Sequence, residues 1–124
     1  MSSHTKLFEN VRKRTGMYVL RETYEAVAAF VLGYDAACEG GPLLGFREWL
    51  VLRLGSGANL AWPALVLQIA FPEAEDPETE LSNPSADRRA IDTLFDLIAK
   101  FDEVRSQPDG LKTIFSAIDA RYKP

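Results

Sequence analysis

Seven carboxylates hold most of the chemistry this chain could do. Glu73, Glu75, Asp76, Glu78 and Glu80 crowd between Pro72 and Pro84, while Asp92 and Asp96 stand four residues apart, on one face of any helix that spans them. Paired acids serve hydrolysis or bind hard cations. The five-acid group, however, lacks the glycine turn and fixed ligand spacing of a calcium loop. Asp92 and Asp96 border the polar side of their helix, which is the position of a solvated surface. His4 is the only histidine; it is read as part of a mobile N-terminal tail, which removes a histidine-based triad. One histidine and one distant cysteine, Cys38, make no zinc site. Gly55-Ser56-Gly57-Ala58-Asn59 has no following Lys-Ser or Lys-Thr pair, so a phosphate-cradling P-loop is excluded. No catalytic residue, metal ligand or cofactor is assigned, and the expectation is a protein that is not an enzyme.

A second set of residues suits binding. Tyr18, Tyr34, Arg47 and Trp62 define an alternative pocket; Tyr18, Arg47 and Trp62 lie at or beside breaks in the helical pattern, where a bulky polar-tipped side chain can face a groove. Arg47 would supply the charge that fixes a ligand carboxylate or phosphate. The other aromatics, Phe30, Phe46, Trp49, Phe95, Phe101 and Phe115, recur at helical spacing on apolar faces, where core packing is the default.

The elements that must position these residues are helices. The chain has 124 residues, 47% of them hydrophobic, enough for a single helical domain over 1–124. The spacing predicts an all-α bundle of five to six helices. The first spans about Lys6 to Arg14 and places Leu7, Phe8 and Val11 on one side, with Gly16 ending it as a C-terminal cap. The second is capped by Thr23 and aligns Val27, Phe30, Val31, Tyr34 and Cys38, the pattern of a central core helix. Gly40-Gly41-Pro42 stops it. A third runs from Phe46 to Leu54 and ends at Gly55-Ser56-Gly57. Residues 62–71 read as helix or buried strand, with Pro63 favouring helix. An acidic, proline-containing surface loop covers 72–84. Ser85 caps a long fifth helix whose stripe is Ile91, Leu94, Phe95, Ile98 and Phe101, set against Asp87, Arg88, Arg89, Asp92, Asp96 and Lys100. Pro108 opens a sixth carrying Leu111, Ile114, Phe115, Ile118 and Tyr122, which forms an antiparallel hairpin with the fifth through Ser106-Gln107. Gly16, Gly33 and Gly45 are candidates for close helix contacts. The oligomeric state stays open, since the stripe of the fifth helix serves a core or a dimer equally well.

Charge narrows the partners. Residues 1–21 hold Lys6, Arg12, Lys13, Arg14 and Arg21 against Glu9, a balance of +4, so the rest of the chain carries −8 of the net −4. An acidic body disfavours nucleic acid and favours a basic partner. A lone cysteine suits a reducing compartment. The start of the chain has no signal-like apolar run, and no run of eighteen apolar residues occurs, so the expectation is a cytoplasmic protein with no membrane association.

Arg12-Lys13-Arg14-Thr15-Gly16-Met17-Tyr18 resembles the Arg-Pro-Gly-Met-Tyr segment at the start of the ATPase subunit of DNA gyrase. The following helix lacks the paired Glu and Asn that serve hydrolysis and magnesium there, and no Asp-x-Gly-x-Gly loop follows. A resemblance over more of the chain is to small bacterial helical proteins that begin with a similar phrase. Its pieces are Gly16-Met17-Tyr18, Phe30-Val31-Leu32-Gly33-Tyr34 and Gly45-Phe46-Arg47-Glu48-Trp49-Leu50, across roughly the first half. Thr15 stands where proline is usual, and the second half is similar only in its pattern of helices. Some of these proteins resemble immunity proteins of polymorphic toxin or contact-dependent inhibition systems. The resemblance implies an immunity-type protein that neutralises a cognate bacterial toxin, with a basic nuclease as the toxin class that the acidic body would oppose. The expected interface is Glu73, Glu75, Asp76, Glu78 and Glu80 together with Asp92 and Asp96. The alternative is a small-molecule or peptide-binding regulatory module built on Tyr18, Tyr34, Arg47 and Trp62.

Overall fold

Two of the helix starts in this protein are set by side chains that satisfy backbone donors. In the computed structural model, which describes residues 3–122, α1 spans Ser3–Lys13, α2 Tyr24–Ala37, α3 Phe46–Leu54, α4 Trp62–Ala70, α5 Pro84–Arg105 and α6 Gly110–Tyr122; short 3-10 turns lie at Thr15–Met17 and Pro77–Glu80. Thr23 Oγ1 accepts from the Ala26 N–H at 3.2 Å, as its residue type predicts for the N-cap of α2. The cap of α5 is Asn83 rather than Ser85: Asn83 Oδ1 accepts from the Ala86 N–H at 2.9 Å. The reason is Pro84, which has no N–H to satisfy and therefore takes the first helical position, leaving the cap to the residue before it.

The fourth segment is helical, with Pro63 in its first turn, and no strand occurs among the described residues. Gly16 does not cap α1. The helix ends at Lys13, and Gly16 lies inside the 3-10 turn that follows. That turn is held by Thr15, which is buried and whose hydroxyl donates to the Val11 carbonyl at 2.8 Å. A proline at this position would remove that bond.

The centre of the bundle is α5, not α2. At 22 residues it is about 33 Å long, long enough to pack against α1, α2, α3, α4 and α6. Its stripe of Ile91, Leu94, Phe95, Ile98 and Phe101 is entirely buried in the chain's own core, so that stripe is not a dimer face. From α2, Tyr24, Val27, Ala28 and Val31 are buried, whereas Phe30, Tyr34 and Cys38 are only half-buried. Its inward face is therefore rotated from the one the spacing selects. Alanines occupy many of its positions, and apolar spacing alone marks no single stripe on such a helix.

α6 packs on α3 as well as α5 and forms an outer layer. Of its expected stripe only Ile114 is fully buried, while Phe115 and Tyr122 keep 36% and 43% of their surface. Its first residue is necessarily glycine: a Cβ on Gly110 would lie 2.3 Å from the Val104 carbonyl oxygen, where the end of α5 turns into α6. Gly45 is another close approach, since a Cβ there would meet Leu111 Cδ2 at 2.8 Å. Gly33 faces open space and marks no helix contact. The aromatic heart joins three helices, with Phe46 5.4 Å from Phe101 and 5.7 Å from Trp62, and Trp49 5.8 Å from Phe101. No helix among the described residues is long and apolar enough to cross a membrane.

Candidate functional site

One face of α1 builds both a charged clamp and an apolar floor. Phe8 and Val11 are buried beneath it. One residue further on, the side chain of Arg12 crosses to α5. Its Nε–H donates to Asp92 Oδ1 at 3.1 Å and its Nη1–H to Asp96 Oδ1 at 2.8 Å. Arg88 donates to the same Asp92 oxygen at 2.9 Å, to Thr15 Oγ1 at 3.2 Å and to the Arg12 carbonyl at 3.3 Å. Partial burial opposes the charge of Asp92, yet hydrogen bonds and attraction from Arg88 and Arg12 outweigh it and hold its carboxyl below the ordinary value. Desolvation likewise opposes the Arg12 charge, and bonding to Asp96 and Asp92 overcomes it, raising the guanidinium. The two aspartates are thus structural tethers between α1 and α5, although part of each stays exposed.

A depressed carboxyl stabilises the native state above its unfolded pKa of about 3.9, and that contribution is lost as pH falls through the lower folded value. Asp92→Asn should therefore cost about 1 kcal/mol at pH 7, a figure kept small by solvent screening of an exposed pair. The cost should shrink on going from pH 7 to an acid pH below that unfolded value, as the pH passes through the lower folded one. Urea unfolding at both pH values checks this; an equal deficit at both would show that the clamp is not electrostatic.

Beside the clamp lies a cleft of about 480 Å³ between α1, α5 and the Pro42 turn. Its floor is Phe8, Pro42, Phe95 and Ile98, all buried. The Phe8 ring sits 5.9 Å from Phe95 and edge-on to Tyr34 at 5.6 Å. Glu9, Ala99, Asp102 and Glu103 stand around the opening. Arg105 closes one end by donating to the carbonyls of Gly41 and Pro42. His4 closes another. It belongs to α1 rather than to a tail, with Nδ1 hydrogen-bonded to Tyr34 Oη at 2.5 Å and its ring edge-on to that phenol. The i, i+4, i+7 series His4, Phe8, Val11 carries this signal in the sequence, but a helix begun at Lys6 leaves His4 out.

The residues of the acidic loop stay together on the surface. Glu73, Glu75, Asp76, Glu78 and Glu80 are all exposed, and none pairs with a cation among the described residues. The segment is not a featureless loop: Thr79 Oγ1 donates to the Asp76 carbonyl at 2.7 Å within the turn Pro77–Glu80, which packs on α4. The alternative set is dispersed. Tyr18 lies edge-on to Phe30, Tyr34 joins His4 and Phe8, and Trp62 is buried against Phe46. Arg47 donates to the carbonyls of Leu60, at 2.7 Å, and Ala58, and pairs with Glu48 at 3.2 Å, so its charge holds the 58–60 turn. None of these four residues lines the α1–α5 cleft or the two clefts that flank α2.

Cys38 is half-buried at the C-cap of α2. Among the described residues, no group of three or more His, Cys, Asp or Glu side chains is arranged to hold a metal ion. The chain matches no family model, no curated protein and no solved structure.

Proposed function

We propose that this chain is a non-enzymatic, immunity-type protein that neutralises a cognate bacterial toxin by holding a basic surface of that toxin against its 73–80 ridge. The observation that carries the reading is the ridge itself: five exposed carboxylates on and beside a proline-started turn, none of them in an ion pair with a cation among the described residues. Like charges held this closely repel, and a basic partner relieves that repulsion while being steered to the surface by it. The turn is already ordered, which lowers the entropy lost on binding. The resemblance of the first half of the chain to immunity-like bacterial proteins supports a toxin as the partner, met in the cytoplasm. The acidic body argues against nucleic acid as the partner.

Growth rescue tests this directly. Expression of the protein encoded immediately upstream should arrest a sensitive host, and co-expression of this chain should restore growth. The triple variant Glu75→Lys, Asp76→Lys, Glu78→Lys should fold normally and weaken the complex by about tenfold or more at low salt, with a flatter salt dependence. Unchanged affinity in the triple variant would remove the ridge from the mechanism. A harmless neighbour, or toxicity that persists, would overturn the immunity reading. A second reading, a regulatory module for a small molecule or peptide, is supported by the α1–α5 cleft.

A further inference from the structure

We propose that the α1–α5 cleft binds a small organic cation with an apolar body, a primary aryl- or alkylamine, at a site separate from the acidic ridge. Its volume of about 480 Å³ falls within the range of small-molecule pockets. The floor of Phe8, Phe95, Ile98 and Pro42 is apolar and held in place by the core beneath it, which suits a ring or an alkyl chain.

The charges around the opening decide the sign of the ligand. Both cations at the cleft are already engaged: Arg12 by Asp92 and Asp96, Arg105 by the carbonyls of Gly41 and Pro42. The carboxylates of Glu9, Asp102 and Glu103 face the same opening without a cation among the described residues. An anion would meet three like charges, with Arg12 already neutralised by two aspartates and Arg105, bonded to carbonyls through Nη1, the one cation left to it. An ammonium group meets partners that have none. The ligand is therefore opposite in charge to the carboxylate or phosphate that Arg47 would have selected.

The test uses the full chain and a matched series of indoles: tryptamine, neutral 3-ethylindole and indole-3-propionate, with phenethylamine and octylamine as further amines. In amide NMR titrations the amines should shift resonances of α1, the Pro42 turn and the second half of α5. Tryptamine should bind about tenfold more tightly than 3-ethylindole, with indole-3-propionate weakest. The double variant Asp102→Asn, Glu103→Gln should erase the preference for tryptamine while leaving 3-ethylindole binding unchanged. Ala99→Phe, which fills the opening from its exposed side, should abolish binding of the whole series. If Ala99→Phe proves unstable, the charge variant still decides the matter. Equal binding across the charge series, a preference for the anion, or no shift with any amine at concentrations of about 5 mM would each overturn the proposal.

Discussion

Phe101→Ala should lower the unfolding free energy by about 3–5 kcal/mol, and for a domain of this size reduce the melting temperature by roughly 10–20 °C. Phe101 is 1% exposed and lies between Phe46 and Trp49, at 5.4 and 5.8 Å between ring centres. It also approaches Gly45, where the chain enters α3. Truncation removes a ring shared by α5 and α3 and leaves a void that rigid helix backbones on two sides cannot close. Urea denaturation read by tryptophan fluorescence reports on the same place, because Trp49 and Trp62 both border the cluster. Phe101→Leu should recover most of the loss. A deficit below about 1 kcal/mol for the alanine variant would mean that the α3–α5 seam does not hold the bundle together.

Asp87→Ala should cost about 3 kcal/mol, although its position on α5 looks like part of a solvated face. The residue is 9% exposed, and its Oδ1 accepts from the Tyr24 N–H, the first donor of α2, at 2.7 Å. The carboxylate caps the positive end of a neighbouring helix from outside that helix. Alanine would leave that donor buried and unpaired. Asn keeps an acceptor and loses only the charge, so Asp87→Asn should cost about half as much. Equal losses in both variants would assign the effect to charge rather than to the hydrogen bond. Tyr24 extends the same junction: its hydroxyl donates to the Pro63 carbonyl at 2.7 Å, and burial pushes its pKa well up. Asp87 and Tyr24 together tie α5, α2 and α4 through polar atoms that the core has removed from water.

Local features of the chain carried much of the architecture. Glycine and proline placed the breaks: α3 runs from Phe46 to Leu54 as its spacing predicts, between Gly45 and Gly55. Thr23 marked the start of α2, and the stripe of α5 marked its buried face. These features are readable because a cap, a break or a repeating apolar position is decided within one or two turns of chain. Errors arose where the deciding partner is remote. Asp87 reads as polar surface until α2 arrives 63 residues away. Arg12, Asp92 and Asp96 read as free charges until α1 lies along α5.

The same division governs the candidate sites. The acidic ridge was legible because its five carboxylates are consecutive in space for the reason that they are close in sequence. The α1–α5 cleft was not, since Phe8, Pro42 and Phe95 belong to three segments that only packing brings together. Tyr18, Arg47 and Trp62 share positions near helix breaks, Tyr34 lies within α2, and packing separates the four. By itself, then, the sequence determined the helices, their breaks and the exposed acidic segment, all products of short-range backbone and solvation preferences. The tertiary structure alone decided which helix is central, which charges are already paired and where a cavity opens, because each depends on contacts between residues far apart in the chain.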